Sequence, residues 1–165
     1  MKRFFALLLV ICLALPLCAS ATRTRITSYT EAEWDAVDAH FNELDERVWS
    51  GGIDSLSPDE RLLYIAMSYN GLMLSGGLGS VFAFMSPEEV ADVPAALQFV
   101  GAQEHAAQFD AFMAQICLSP ALLHHLEDLP PQLMPPFEEQ NAAFIALDEE
   151  TALTSIIHVH IQVSK

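Results

Sequence analysis

Three helix-start signals of the same kind limit this chain to a mainly helical fold. In each, a Ser or Thr able to cap a helix is followed three residues later by Glu, an arrangement typical of a capping box. In two of them Pro occupies the first helical position, where a helix tolerates its missing N–H. The signals are Thr30-Glu31-Ala32-Glu33, Ser57-Pro58-Asp59-Glu60 and Ser86-Pro87-Glu88-Glu89.

The residues after each signal have helical spacing. After the first, apolar residues recur every three or four positions along about five turns, and Ser50-Gly51-Gly52 ends the helix. The stretch Arg61 to Leu74 is apolar on most sides, which predicts a central helix covered on several faces. The third predicted helix runs from Ser86 to about Val100, with Gly101 as its stop.

The rest of the chain continues the helical pattern, with one ambiguous end. Amphipathic stretches at 102–117, 119–126 and 137–147 predict helices, and four prolines in 129–136 predict an extended connection. Residues 151–163 alternate apolar and polar side chains, which favours a strand, but no earlier segment offers a strand partner, so a helix stays open. The sequence predicts an all-α single domain of about six helices.

Charge excludes several classes of function. The chain has 165 residues, with 7 Lys and Arg against 22 Asp and Glu, so its formal net charge is −15. Direct binding of nucleic acid or an anionic membrane needs clustered basic residues, so neither is predicted. The 52% of hydrophobic residues is too high for an acidic disordered tail. The length suits one domain with a core of its own.

Residues 1–21 have the layout of a secretory signal peptide. Lys2 and Arg3 precede an apolar run, and Ala19 and Ala21 suit cleavage after Ala21, which predicts a periplasmic or secreted protein with no membrane contact after cleavage. The run is shorter than a membrane-spanning helix needs, although an uncleaved anchor or a lipoprotein through Cys18 stays open. We predict that residues 22–56 form an N-terminal acidic helix, which makes one compact unit with a helical domain at 57–165.

Cleavage would make the net charge more negative and would leave one cysteine. The mature chain would keep 5 basic and 22 acidic residues, for a net charge of −17. Cys12 and Cys18 leave with the signal peptide, so Cys117 has no partner for an internal disulfide. Because apolar residues precede Cys117 at helical spacing, we expect it to be a small buried core residue.

A glycine turn and the segments around it resemble a known family. Ser75-Gly76-Gly77-Leu78-Gly79-Ser80-Val81-Phe82 follows a long predicted helix and precedes a helix ending in Val100-Gly101-Ala102. With the start Pro58-Asp59-Glu60-Arg61 and the acidic-aromatic segment 137–144, this order is similar to the DNA-mimic protein family. The positions that match are Gly76, Gly77, Phe82, Gly101 and Ala102, whereas Ser75, Leu78 and Ser80 depart from the family pattern.

The resemblance implies a fold and a kind of partner. It implies an all-helical domain, a helical rather than extended C-terminal segment, and an acidic surface that imitates duplex DNA toward a basic protein. Because the type member of the family is a dimer, the resemblance also allows a homodimer. An export signal would place such a protein away from transcription factors, so we expect a basic protein partner of another kind.

Carboxylates on the first predicted helix form the candidate binding site. Glu31, Asp35, Asp38 and Asp45 fall on one stripe, in which Asn42 fills the longest gap, and Glu46 extends it. With Asn42 counted, the average step along the stripe is about 5–6 Å. We call the five carboxylate residues the acidic face. Phosphates on one DNA strand are spaced by ~3.4 Å along the axis, so the stripe is sparser but of the same order. The alternative is a solvated surface that only keeps the protein soluble.

No signature of catalysis or metal binding stands out. The glycine turn lacks the Lys-Ser/Thr of a phosphate-binding loop, and no nucleophile elbow or H-E-x-x-H motif occurs. His158 and His160 would point the same way on a strand, but neither they nor His124 and His125 have zinc spacing. The sequence thus predicts a non-enzymatic acidic interaction protein without a cofactor. An exported helical domain with an unrecognised enzymatic or metal-binding role is the alternative.

Overall fold

The computed structural model describes residues 29–116, 123–125 and 137–164, and within them the protein is an all-α single domain. This confirms the predicted fold class. No helix among these residues combines the length and apolar character needed to span a membrane. The helices are α1 (Glu31–Gly51), α2 (Pro58–Gly76), α3 (Leu78–Phe84), α4 (Pro87–Phe99), α5 (Gln103–Ile116), α6 (Phe137–Glu150) and α7 (Leu153–Val163).

Some expectations fall outside the described residues. These are the signal peptide at 1–21, the buried position of Cys117, most of the short helix predicted at 119–126, and the proline-rich connection at 129–136. They stay predictions.

The three predicted capping boxes begin α1, α2 and α4. At α1, the Thr30 hydroxyl accepts from the Glu33 N–H at 3.2 Å, and the Glu33 carboxylate accepts from the Thr30 N–H at 2.7 Å. These bonds lower the pKa of Glu33. Ser57 and Ser86 make the same reciprocal bonds at α2 and α4. Each box pairs N–H groups that have no partner within the first helical turn. Because the residues of each box lie within four positions, these three helix starts could be predicted from the sequence.

Helix α2 is central, as its apolar sides predicted. It packs against α1, α3, α4 and α7. Ile65, Ala66 and Tyr69 are buried, and the Tyr69 ring makes perpendicular contacts with Phe109 of α5 and Phe144 of α6. All seven helices are therefore tied to α2 or to a neighbour of α2.

One of the seven helices in the described residues has no counterpart among the predicted helices. The apolar residues after the glycine turn form α3, which sequence reasoning left without an assigned structure. Gly77 lies between α2 and α3 and has a φ of 70°. The Leu78 N–H at the start of α3 donates to the Asn141 side chain at 2.9 Å. Because Asn141 lies 63 residues away on α6, no local pattern could show this cap.

The C-terminal segment is a helix, so the strand alternative was wrong. Leu153, Ile157 and Ile161 are buried at four-residue spacing, whereas Val159 and Val163 are exposed. The Leu153 N–H that begins α7 donates to the Asp148 carboxylate at 2.9 Å. The alternation arose because Val159 and Val163 place apolar side chains on the solvent side of α7, whereas the four-residue series is buried.

Two glycines at helix ends, Gly52 after α1 and Gly77 after α2, give a stability prediction. Gly52 and Gly77 share a backbone region essentially restricted to glycine, with φ 76° and 70°. A Cβ at position 52 would meet nothing within 4 Å, but one at position 77 would lie 2.4 Å from the Asn141 amide nitrogen. Moving Asn141 would leave the Leu78 N–H without its acceptor.

Gly52→Ala should therefore cost about 1–3 kcal/mol of unfolding free energy from backbone strain alone. Gly77→Ala should cost about 1–3 kcal/mol more, because it also displaces Asn141, the partly buried acceptor of the Leu78 N–H. Urea denaturation of the two variants measures the difference. Equal losses would contradict the role given to Asn141.

Candidate functional site

The packing of α1 turns the acidic face toward solvent. Val37 and Leu44 are buried in the core, and α1 packs on α2 and α7. On the opposite side Glu31, Asp35, Asp38 and Glu46 are exposed. Asp45 is half-buried and accepts a hydrogen bond from the Tyr64 hydroxyl at 2.9 Å. The structure thus brings the five predicted residues together on one side of one helix.

Within the residues that the structure describes, positive charge is nearly missing around this face. The described residues contain twenty Asp and Glu but only two basic side chains of the Lys or Arg type, Arg47 and Arg61. Arg47 pairs with both carboxylate oxygens of Glu60 and also donates to the Ser55 carbonyl at 3.1 Å. Arg61 pairs with Asp92 at 3.0 Å. Within the described part of the chain, no Lys or Arg is left to neutralise the acidic face.

The two arginines join helices of the domain. Arg47 links α1 to the start of α2, and its hydrogen bonds, together with those from Ser57, lower the pKa of Glu60 to about 2. Arg61 links α2 to α4. Since both pairs are partly exposed, their role is to position helices more than to stabilise the fold.

An aromatic groove of about 600 Å³ runs beside the acidic face. Its walls come from the residues before and within α1, from α2, from the end of α3 and from the start of α4. Asp38 belongs both to the acidic face and to the groove, so the two features are continuous. The aromatic lining residues are Tyr29, Trp34, Phe41, Tyr64 and Phe84, and the carboxylates are Asp38 and Glu89.

Tyr64 connects the groove to the carboxylates of α1. Its ring stacks on Phe41 with 5.3 Å between ring centroids, and its hydroxyl donates to Asp45. Burial, followed by the hydrogen bond and the negative charges of Asp45 and Glu89, raises the pKa of Tyr64 to about 12. The phenol therefore stays protonated at neutral pH, in surroundings that disfavour another negative charge.

The side of the groove formed by α2 contains a buried amide and an interior glycine. Asn70 is buried and donates to the Thr154 hydroxyl at 2.9 Å, while its Oδ1 has no hydrogen-bond partner in the described structure. Gly71 is the next residue, and a Cβ there would meet nothing within 4 Å. The groove thus has open space directly above a helical glycine.

Comparison with known proteins assigns the family. A family model described as DMP19-like protein matches residues 54–160, more than half of the chain. The chain belongs to the DMP19-like protein family. This is a family of DNA mimics, so the suspected resemblance is confirmed. No curated protein and no solved structure gives a significant match. Helix α1 precedes the matched residues, so the acidic face rests on this chain's own residues.

The residues that match the family turn motif lie in the core and at helix ends of this DMP19-like protein. Phe82 is fully buried, with its ring 5.8 Å from that of Phe137 and 6.1 Å from that of Phe112. Gly101 adopts φ 92° between α4 and α5, and Ala102 is buried beside it. With Gly76 and Gly77 at the α2–α3 break, they shape the core rather than the groove or the acidic face.

The histidines lie apart from both features. Because α7 is helical, side chains two positions apart point in nearly opposite directions. His158 lies 4.0 Å from Glu33, and the His160 ring packs 4.7 Å from that of Phe99. The strand geometry that would have aligned these two histidines was wrong. Among the described residues, no group of three or more His, Cys, Asp or Glu side chains is placed to hold a metal ion.

Sequence reasoning missed the groove and one buried histidine. The groove is formed by side chains from four helices, so no local sequence pattern indicates it. Phe84 is exposed, but in the sequence it looks like the other residues of its apolar segment. His105 of α5 is fully buried against Phe144, and neither ring nitrogen has a hydrogen-bond partner in the described residues. Burial lowers the pKa of His105 from 6.5 to about 4, so its ring is neutral at pH 7.

His105 should make the protein less stable as the pH falls. The unfolded chain takes up a proton near pH 6.5, whereas the folded protein resists until about pH 4. Relative to His105→Leu, the parent should lose up to about 3 kcal/mol of unfolding free energy between these pH values. Urea denaturation at several pH values tests this. A difference between the two proteins that does not change with pH would contradict it.

Proposed function

We propose that this DMP19-like protein is a non-enzymatic acidic interaction protein, which presents the acidic face to a basic surface of a partner protein. The observation that carries the proposal is the exposure of four carboxylates on one side of α1, with both arginines of the described residues paired elsewhere. A basic partner would supply the positive charge that the described part of this surface lacks.

The energetics of α1 favour a role in binding over one in stability. Like charges one turn apart on a helix destabilise it by a few tenths of a kcal/mol per pair. The acidic face contains such a pair, Glu31 and Asp35, and Asp38 follows Asp35 after three positions. A basic surface docked on them would remove this repulsion and add attraction that salt weakens.

Membership of a DNA-mimic family supports the same kind of partner. A protein surface that binds DNA is basic and contacts regularly spaced phosphates. Carboxylates along a helix offer negative charges at a sparser spacing of the same order, so the target we propose is a basic surface that also accepts a polyanion. On the basis of the signal peptide predicted at 1–21, we propose that this encounter takes place in the periplasm or outside the cell.

Neutralising the acidic face should abolish capture of the partner. The variant Glu31→Gln, Asp35→Asn, Asp38→Asn, Glu46→Gln keeps side-chain size and removes four charges. Its control removes four exposed charges from α5 and α6 through Glu104→Gln, Asp110→Asn, Glu139→Gln and Glu149→Gln. The parent and the control should recover the same basic protein from the cation-exchange fraction of an envelope extract, and salt should release it.

Recovery by the acidic-face variant should fall at least about tenfold, as expected when several charge pairs are lost. Circular dichroism and thermal melting establish that all three proteins are folded. Equal recovery by the two variants would show that net charge alone governs the interaction, which favours the solubility interpretation.

Export can be checked on the protein from its native cells. We expect fractionation to find it in the periplasm or medium, with Thr22 as the first residue, because cleavage should follow Ala21. Mass spectrometry of the intact protein identifies this end. A full-length protein in the cytoplasm would contradict the localisation while leaving the acidic face untouched.

A further inference from the structure

The aromatic groove has features that the acidic face alone does not need. Trp34, Phe41, Tyr64 and Phe84 provide aromatic surface, while Asp38 and Glu89 place two carboxylates in the same lining. Phe84 is 76% exposed, although it is a large apolar side chain. Phe84 shares the groove lining with four other aromatic residues, and a contiguous apolar surface left open to water is commonly a site of interaction.

Gly71 is a second, independent feature of the groove. A glycine inside a helix costs roughly 0.5–1 kcal/mol relative to alanine. At Gly71 no neighbouring backbone or side chain requires it, because a Cβ would meet nothing within 4 Å. Its one evident structural effect is to keep the groove open above α2.

The chemistry of the lining selects a positively charged, partly apolar ligand. Aromatic faces attract cations, and carboxylates pair with them. Arginine suits both, because its planar guanidinium stacks on rings and binds carboxylate oxygens, while its methylene groups pack on apolar surface. The described residues contain no unpaired arginine that could fill the groove from within the protein.

We propose that the groove binds an arginine-bearing amphipathic segment of the basic partner. This inference rests on the proposed function, since the segment belongs to the protein that docks on the acidic face. The groove is open along its side at Phe84, and it continues through Asp38 into the acidic face. A chain segment fits such an open groove better than a small molecule, whose sites enclose most of the ligand.

Tryptophan fluorescence offers a direct test. Trp34 lines the groove, and the other tryptophan, Trp49, is 85% exposed and lies outside it. In the full-length Trp49→Phe protein, the emission of Trp34 reports on the groove. The probe is an amide-capped helical peptide with arginine and leucine on one face, and its control replaces each arginine by citrulline, which has similar shape without charge.

We expect the arginine peptide to shift the Trp34 emission and to bind at least about tenfold more tightly than the citrulline peptide. Gly71→Leu should reduce binding at least about tenfold by filling the groove. Ala91→Leu, at an exposed position of α4 outside the groove, should not. If Gly71→Leu fails to fold, Phe84→Ala provides the same test, with the exposed Val163→Ala as its control.

Equal binding of the two peptides would overturn the proposal, as would full binding by Gly71→Leu or Phe84→Ala. Binding of free acetyl-arginine amide as tight as that of the peptide would also overturn it, and would indicate a small-molecule site instead. If partner capture is lost in the acidic-face variant but kept in Gly71→Leu, the groove proposal is refuted and the proposed function stands. Capture that is insensitive to both would refute the proposed function as well.

Discussion

Apolar burial around α2 is the constraint on which the rest of the structure depends. With twenty carboxylates and two arginines in the described residues, ion pairs cannot hold this domain together. Stability must come from residues such as Ile65 and Tyr69, which the helices around α2 cover. Because burial of an unpaired carboxylate is costly, nearly all the acidic side chains are left at the surface, where they repel one another.

The same packing accounts for both proposed binding features. Burying Val37 and Leu44 fixes the rotation of α1, so the carboxylates on its other side face solvent together. Packing α1 against α2 beside the short α3 leaves the aromatic groove between them. Tyr64 joins the two features through its stacking on Phe41 and its hydrogen bond to Asp45. A partner that touches the acidic face would therefore meet the groove as well.

Local signals made much of the fold predictable, and distant contacts account for what was missed. The capping boxes and the stripe of α1 are encoded within a few residues, so their helices and the grouping of the acidic face could be inferred from sequence. The start of α3 depends on Asn141, and the groove depends on side chains from four helices. The helical state of residues 153–163 was ambiguous because Val159 and Val163 are apolar yet exposed.

Mapping of backbone amide shifts by NMR would show whether binding is localised on α1 and the groove. The ¹⁵N-labelled protein would be titrated with the arginine-bearing peptide at low and high salt. The shifts should concentrate in α1 and in the residues around Gly71 and Phe84, and salt should weaken them. Shifts spread evenly over the exposed carboxylates of α5 and α6 would contradict this prediction.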